Sequence, residues 1–161
     1  MVGGQVEDLA WERSVDAKDP HFPRTDQPHT LEALEHIHQH KTGALFRACL
    51  KLGVQSAQGE HPNGPDPDLL ERLDIYARVF GLVFQITDDL IDVEGSATDT
   101  GKRTQKDAAR GKLTYPGLLG IEESRRRAHN LADHALGTLA PLGGAGQPLT
   151  ALLKFVLTRD R

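Results

Sequence analysis

The chain has 161 residues, the size of one ordinary domain at about 100–200 residues each. With 19 basic against 23 acidic residues its formal charge is −4, so it lacks the positive field that grips polyanionic backbones, and general nucleic-acid binding is disfavoured. A single cysteine, Cys49, excludes an intrachain disulfide and a thiolate metal cluster, and implies a reducing, cytoplasmic setting. No apolar run approaches the ~20 residues that span a bilayer, and the opening MVGGQVEDLAWER has no basic stretch followed by an apolar one. An apolar share of 38% can build a core, although 16 glycines and 9 prolines assign much of the chain to loops.

Apolar residues recur at three-and-four spacing and no run alternates strictly, so the expected fold class is all-α. Residues 9–30 mix Pro, Asp and Thr without a period and read as a lid, linker or arm. Thr30 is a suitable N-cap with Glu32 in the first turn, and Leu34, Ile37, Leu45, Ala48, Cys49 and Leu52 form one apolar face of a helix ending near Gly53. Residues 53–66 are dense in breakers. They close on Asp66–Pro67, an N-cap followed by an N1 proline, which starts a long helix. Its buried face is Leu69, Leu73, Tyr76, Phe80, Val83 and Leu90 or Ile91, and Gly95 is the natural stop. Residues 95–114 are charged and glycine-punctuated. Pro116 opens a further helix with Leu119, Ala128, Leu131, Ala135 and Leu139 inward. After the breaker run PLGGAGQP, a short helix carries Leu149, Leu152, Leu153 and Val156.

The chemistry lies on the long helix. Gly81, Gln85, Asp88 and Asp92 are spaced four, three and four apart and therefore line one stripe, with Asp89 beside it. Three carboxylates in one patch repel unless a cation neutralises them. Their position near the helix C-terminus is disfavoured by the macrodipole, which suggests a use. Oxygen-only donors suit a hard ion, and Mg²⁺ takes one or two carboxylates, waters and substrate phosphates. Gly81, without a side chain, would lead the stripe into open space. Lys102 and Lys112, each beside glycine, and Lys41 with Thr42 as a hydroxyl donor supply cations for a phosphate. The competing reading is a solvated acidic helix end with solubilising lysines.

HKTG, FQITDDLIDV and TGKRTQKDAARGKLTYP, in this order and spacing, resemble the second half of the trans-prenyl-diphosphate synthases, the bacterial farnesyl and geranylgeranyl diphosphate synthase family. The resemblance runs from Gly3 to about the last residue. It implies the C-terminal half of the isoprenoid-synthase helical bundle, an incomplete polyprenyl synthetase domain over residues 1–161, with 95–114 as a phosphate-binding loop region. By the resemblance, Asp88, Asp89 and Asp92 match the second aspartate-rich motif that holds Mg²⁺, and Asp107 matches an acid that reaches metal through water. Lys41, Lys102 and Lys112 match lysines that hold the allylic diphosphate. Thr42 and Gln85 match polar groups near the breaking carbon–oxygen bond, and Gln5 matches a glutamine lining the cavity. The implied reaction joins isopentenyl diphosphate to an allylic diphosphate.

The first aspartate-rich motif, its following basic residues and the early GKxxR-type site are missing from the sequence. The expectation is therefore a chain inactive alone, which self-associates or pairs with a complementing N-terminal half. A non-catalytic helical interaction fragment with a vestigial metal site is the alternative. A terpene cyclase fits HKTG and GKLTYP less well, and product chain length is not readable from this half. His36, His38 and His40 could offer a metal pair on one helical face, but no third ligand follows at suitable spacing. Cys49 reads as a core residue, Arg125, Arg126 and Arg127 as solvated, and Arg159 and Arg161 as either a phosphate cap or a frayed tail.

Overall fold

A computed structural model describes residues 3–6, 8, 30–98 and 113–159. Among them every regular element is helical, in the order α1 (Leu31–His38), a π-helical turn (Gln39–Gly43), α2 (Ala44–Gln58), α3 (Pro67–Thr98), α4 (Tyr115–Leu119), α5 (Ile121–Leu139), a 3-10 segment (Ala140–Gly146) and α6 (Gln147–Thr158). The all-α expectation holds. None of the helices described is long and apolar enough to cross a membrane.

The start signals act as read. The Thr30 hydroxyl accepts from the Ala33 amide at 3.3 Å, and the Asp66 carboxylate accepts from Asp68 N at 2.9 Å with Pro67 at the first helical position. The stops are less faithful. Gly53 does not end its helix, which runs on to Gln58, and α3 passes Gly95 to reach Thr98. Of the expected loops, 53–66 therefore shrinks to 59–66, and residues 9–29 and 99–112 lie outside the described residues. A lone glycine costs a helix only about 1 kcal/mol, which the packing of Val54 beyond it offsets.

At 32 residues α3 is about 48 Å long at ~1.5 Å per residue, and it is the axis of the molecule. It buries Leu73, Tyr76, Phe80, Val83 and Leu90 as expected, but also Ala77, Val79, Leu82 and Ile86. The reason is that α2, α5 and α6 all pack around it, so little of its middle faces water. One cluster joins it to Val54, Ala132, Ala135, Leu139, Leu153 and Val156. A second joins its far end, through Ile86 and Leu90, to Leu34, Ile37, Leu113, Tyr115 and Ala128. The Tyr76 hydroxyl donates to the Leu149 carbonyl at 2.9 Å and ties α6 to the axis.

The apolar face expected for the first helix is split by the π-helical turn. Before it, Leu34 and Ile37 are buried as read. After it, Phe46, Leu50 and Val54 face the core, while Leu45, Ala48, Cys49 and Leu52 face outward. A π turn accommodates one extra residue, so each later side chain is rotated by one position relative to an uninterrupted α-helix. Cys49 is accordingly exposed, not a core residue.

Further along the chain, Gly120 adopts a positive φ of 81° and breaks the expected single helix into α4 and α5. Ser124, Ala128, Ala132, Ala135 and Leu139 then form the inward face of α5. Arg125 and Arg126 are exposed as expected, in surface ion pairs with Glu94 and, at 2.5 Å, Glu123, while Arg127 is half-buried and pairs with Glu35, through an Nε contact of 3.0 Å that clamps α5 to α1.

Between α2 and α3, Asp74 accepts from Arg47 Nε at 2.6 Å and from Arg78 Nε at 2.8 Å. Partial burial pushes its carboxyl up, but the two guanidinium groups outweigh it and hold the group below the ordinary carboxylate range. Because the folded value is depressed, the stabilisation is complete above the unfolded value of about 3.9 and is lost as pH falls through the folded one. Asp74→Asn is expected to lower unfolding free energy at pH 7 by about 0.5–1 kcal/mol. In urea titrations against pH the difference from the parent should close below pH ~4.

Candidate functional site

The stripe on α3 is built, but its members do different jobs. Asp88 is partly open, with its side chain 44% exposed, and Asp92 is exposed. Asp89 is 3% exposed, and its carboxylate accepts the backbone N–H of Tyr115 at 3.0 Å. The three acids therefore do not share one solvent-facing patch. Residues one apart on a helix are separated by about 100°, and that turn carries Asp89 from the open side into the packing around α4. Among the described residues no three His, Cys, Asp or Glu side chains converge as a metal cluster.

Upstream on the same line, Gln85 is 8% exposed and its Oε1 accepts from the Thr42 hydroxyl at 3.1 Å. This joins the α3 stripe to the π-helical turn that carries HKTG. Gly81 does not open into space. A Cβ there would lie 2.9 Å from the Gly43 Cα and 3.3 Å from its nitrogen, so the two glycines are a helix crossing at backbone distance. That approach brings Thr42 to Gln85 one turn further along. Gly4 makes a similar contact: a Cβ on it would overlap the Lys41 amide, so helical residues 3–6 rest on the same turn. Gln5, in that segment, is exposed.

Lys41 is already paired. Its ammonium contacts the carboxylate of Asp8, with side chains 29% and 11% exposed. Asp8 carried no signal in the sequence, since it lies in no spacing with Lys41 and only the fold brings them together. Asp88 is paired too. Arg159 Nη2 donates to Asp88 Oδ1 at 2.5 Å and to the Phe84 carbonyl at 3.4 Å, and its guanidinium carbon sits 4.3 Å from the centre of the Phe84 ring. Of the two expectations for Arg159, a phosphate cap or a frayed tail, neither describes this contact. Lys102, Asp107 and Lys112 lie outside the described residues.

Among the described residues no third ligand joins a pair of these histidines. His38 is buried and stacks on Tyr115 with ring centres 5.7 Å apart, while His40 Nδ1 is 2.8 Å from the His36 carbonyl. A shallow groove lined by Arg47, Lys51, Leu70 and Asp74 runs between α2 and α3, and no stripe residue lines it.

The donor set fits a hard divalent ion in part. Asp88 and Asp92, four apart on one helix face, offer carboxylate oxygens to solvent, and Asp88 already draws a cation to itself. Asp89 is committed to the fold.

The polyprenyl synthetase family model matches residues 1–140. The chain is 40% identical over 164 residues to farnesyl diphosphate synthase of Escherichia coli, covering 100% of this chain and 49% of that protein. It is 40% identical over 159 residues to a dimethylallyltranstransferase of Fischerella ambigua, covering 99% and 41%. A geranyltransferase structure from Helicobacter pylori, complexed with magnesium and isoprenyl diphosphate, superposes with a TM-score of 0.68 at 30% identity, covering 98% of this chain and 45% of that one. The chain spans less than half the length of these relatives. With the family model matched over residues 1–140 and an all-helical architecture, this chain belongs to the polyprenyl synthetase family.

Proposed function

We infer that the chain carries the second aspartate-rich half of a Mg²⁺-dependent prenyltransferase site of the farnesyl diphosphate synthase kind, joining isopentenyl diphosphate to an allylic diphosphate. The observation that carries this reading is the hydrogen bond from Thr42 to Gln85 directly upstream of an open, cation-seeking Asp88. It aligns hydroxyl, amide and carboxylate along one side of α3, the order needed to meet a carbon, its departing oxygen and a metal-bound diphosphate.

Asp88 and Asp92 would hold Mg²⁺, which when bound supplies positive charge to a leaving diphosphate. Gln85, with its oxygen taken up by Thr42, turns its amide N–H groups the other way, and its burial keeps water from the reacting carbon. Lys41 adds charge from the π-helical turn. Lys102 and Lys112 are assigned to the same diphosphate, Asp107 to a water-bridged metal contact and Gln5 to the cavity wall, all by resemblance. Asp89 enters this reading as the anchor that fixes α4 beside the stripe rather than as a metal ligand.

A site with one carboxylate pair cannot close a metal cluster around a diphosphate, so the chain alone is read as inactive. Leu45 at 44%, Leu52 at 61% and Phe155 at 65% exposure support the same conclusion, as apolar surface to be covered by a complementing half or a second copy. A cytoplasmic setting fits a single, exposed thiol.

Calorimetry with a non-hydrolysable allylic diphosphate tests the site. Binding is expected only with Mg²⁺ present, weakened at least ~10-fold by Asp88→Asn, the equivalent of about 1.4 kcal/mol. Magnesium-independent binding that ignores the substitution would leave the non-catalytic fragment standing. Robust prenyl transfer by the 161-residue chain would refute the inactivity.

A further inference from the structure

We propose that Arg159 is a built-in counter-ion that holds Asp88 while no divalent cation is bound, and that metal binding at Asp88 displaces it from the stripe. The inference rests on the reading of Asp88 as a metal ligand and adds to it a residue that competes for that ligand.

Three features separate this contact from a permanent structural ion pair. First, it is one-pronged: only Nη2 reaches Asp88, at 2.5 Å, whereas a guanidinium locked on a carboxylate generally uses two parallel donors. Second, the docked arginine is incompletely satisfied. Its Nε is buried without a hydrogen-bond partner among the described residues, and its contact to the Phe84 carbonyl is long at 3.4 Å. Third, Arg159 is the first residue after α6, with extended backbone and its amide held by the Phe155 carbonyl at 2.9 Å. Side-chain rotation alone frees the guanidinium, with no helix to unwind.

The pocket is nonetheless specific for a cation. Phe84 and Asp88 are four residues apart on α3, so ring face and carboxylate present themselves together, and the guanidinium is drawn to both. The Arg159 side chain is only 15% exposed. A divalent ion on the Asp88 carboxylate would place two like charges within a few ångströms of each other, where they repel. One must leave, and the arginine has the weaker hold. Arg159 is thereby coupled to metal occupancy: docked on Asp88 when no divalent ion is bound there, released when one is.

Two measurements on the 161-residue chain test this, with Mn²⁺ alone as probe. In titrations followed by electron paramagnetic resonance, Arg159→Gln is expected to bind Mn²⁺ about two- to fivefold more tightly than the parent, the range of a partly exposed ion pair. In the unsubstituted chain, modification of Arg159 by an arginine-specific glyoxal, mapped by mass spectrometry, is expected to accelerate severalfold as Mn²⁺ saturates. Arg159→Lys, which keeps the charge, should bind Mn²⁺ close to the parent. Unchanged affinity in Arg159→Gln, or an unchanged modification rate with bound metal, overturns the proposal. The Asp88→Asn chain separates the two layers. If it loses Mn²⁺ while Arg159→Gln binds like the parent, the counter-ion role fails and the site stands. If it binds Mn²⁺ like the parent, the site reading itself fails.

Discussion

Replacing Asp89 with alanine is expected to destabilise the chain by about 2–3 kcal/mol, whereas the same change at its neighbour Asp88 costs no more than ~1 kcal/mol. The two acids are adjacent and belong to one motif, yet their surroundings differ in kind. The Asp89 carboxylate is 3% exposed and accepts the amide of the fully buried Tyr115 at 3.0 Å, so truncation leaves that N–H without its acceptor and withdraws a charge-assisted bond. Asp88 is 44% exposed and loses only its contact with Arg159, in surroundings where water replaces the partner. At ~2–4 °C per kcal/mol for a chain of this size, thermal melts should separate the variants by several degrees. Asp89→Asn retains an acceptor oxygen and should recover much of the loss. An Asp89→Ala chain as stable as Asp88→Ala would show that the Tyr115 contact carries no weight.

The second expected result is a pair of opposite signs from one substitution. Gly81→Ala and Gly53→Ala both exchange glycine for the best helix former, which by itself gains about 1 kcal/mol. At Gly53 nothing lies within 4 Å of the new methyl, so the gain should be realised in full. At Gly81 the methyl would stand 2.9 Å from the Cα of Gly43. That neighbour is backbone and cannot swing aside, and overpacking of this kind costs ~1–3 kcal/mol. Gly81→Ala is therefore expected to lose up to about 2 kcal/mol net, the overpacking offsetting or exceeding the helix gain. It should also lose the Thr42 to Gln85 hydrogen bond, which the helix separation sets at 3.1 Å. Urea unfolding measures the stability, and the Thr42 hydroxyl environment in nuclear magnetic resonance reports the bond. A Gly81→Ala chain more stable than its parent would mean that the crossing is slack.

Which parts of this molecule could be read from its residues follows from the range of the interactions. Thr30 and Asp66 could be recognised because a cap needs only the next three residues, and the core positions of α3 because periodicity is local. The motif order HKTG, DDLID and GKLTYP carried the family. The π-helical turn could not be read: Leu45, Cys49 and Leu52 continue the stripe of Leu34 and Ile37 in perfect α-helical spacing, and only packing against Gly81 selects Phe46, Leu50 and Val54 instead. Asp89 looked like Asp88 because one helical step, not residue type, decides which is buried. Asp8 with Lys41, Glu35 with Arg127 and Arg159 with Asp88 are long-range pairs whose members give no local hint of each other.

The extra residue at Gln39–Gly43 leaves α2 with two greasy sides, Phe46–Leu50–Val54 and Leu45–Ala48–Cys49–Leu52, offset by one position. Flattening that turn to plain α-helix with every residue kept would dial the second side inward and the first outward, whereas deleting one of its residues would leave Phe46, Leu50 and Val54 facing the core. Loop-length engineering or family-wide threading that treats Leu31–Gln58 as one plain rod would make that error silently, and would carry it into every residue that follows the bulge.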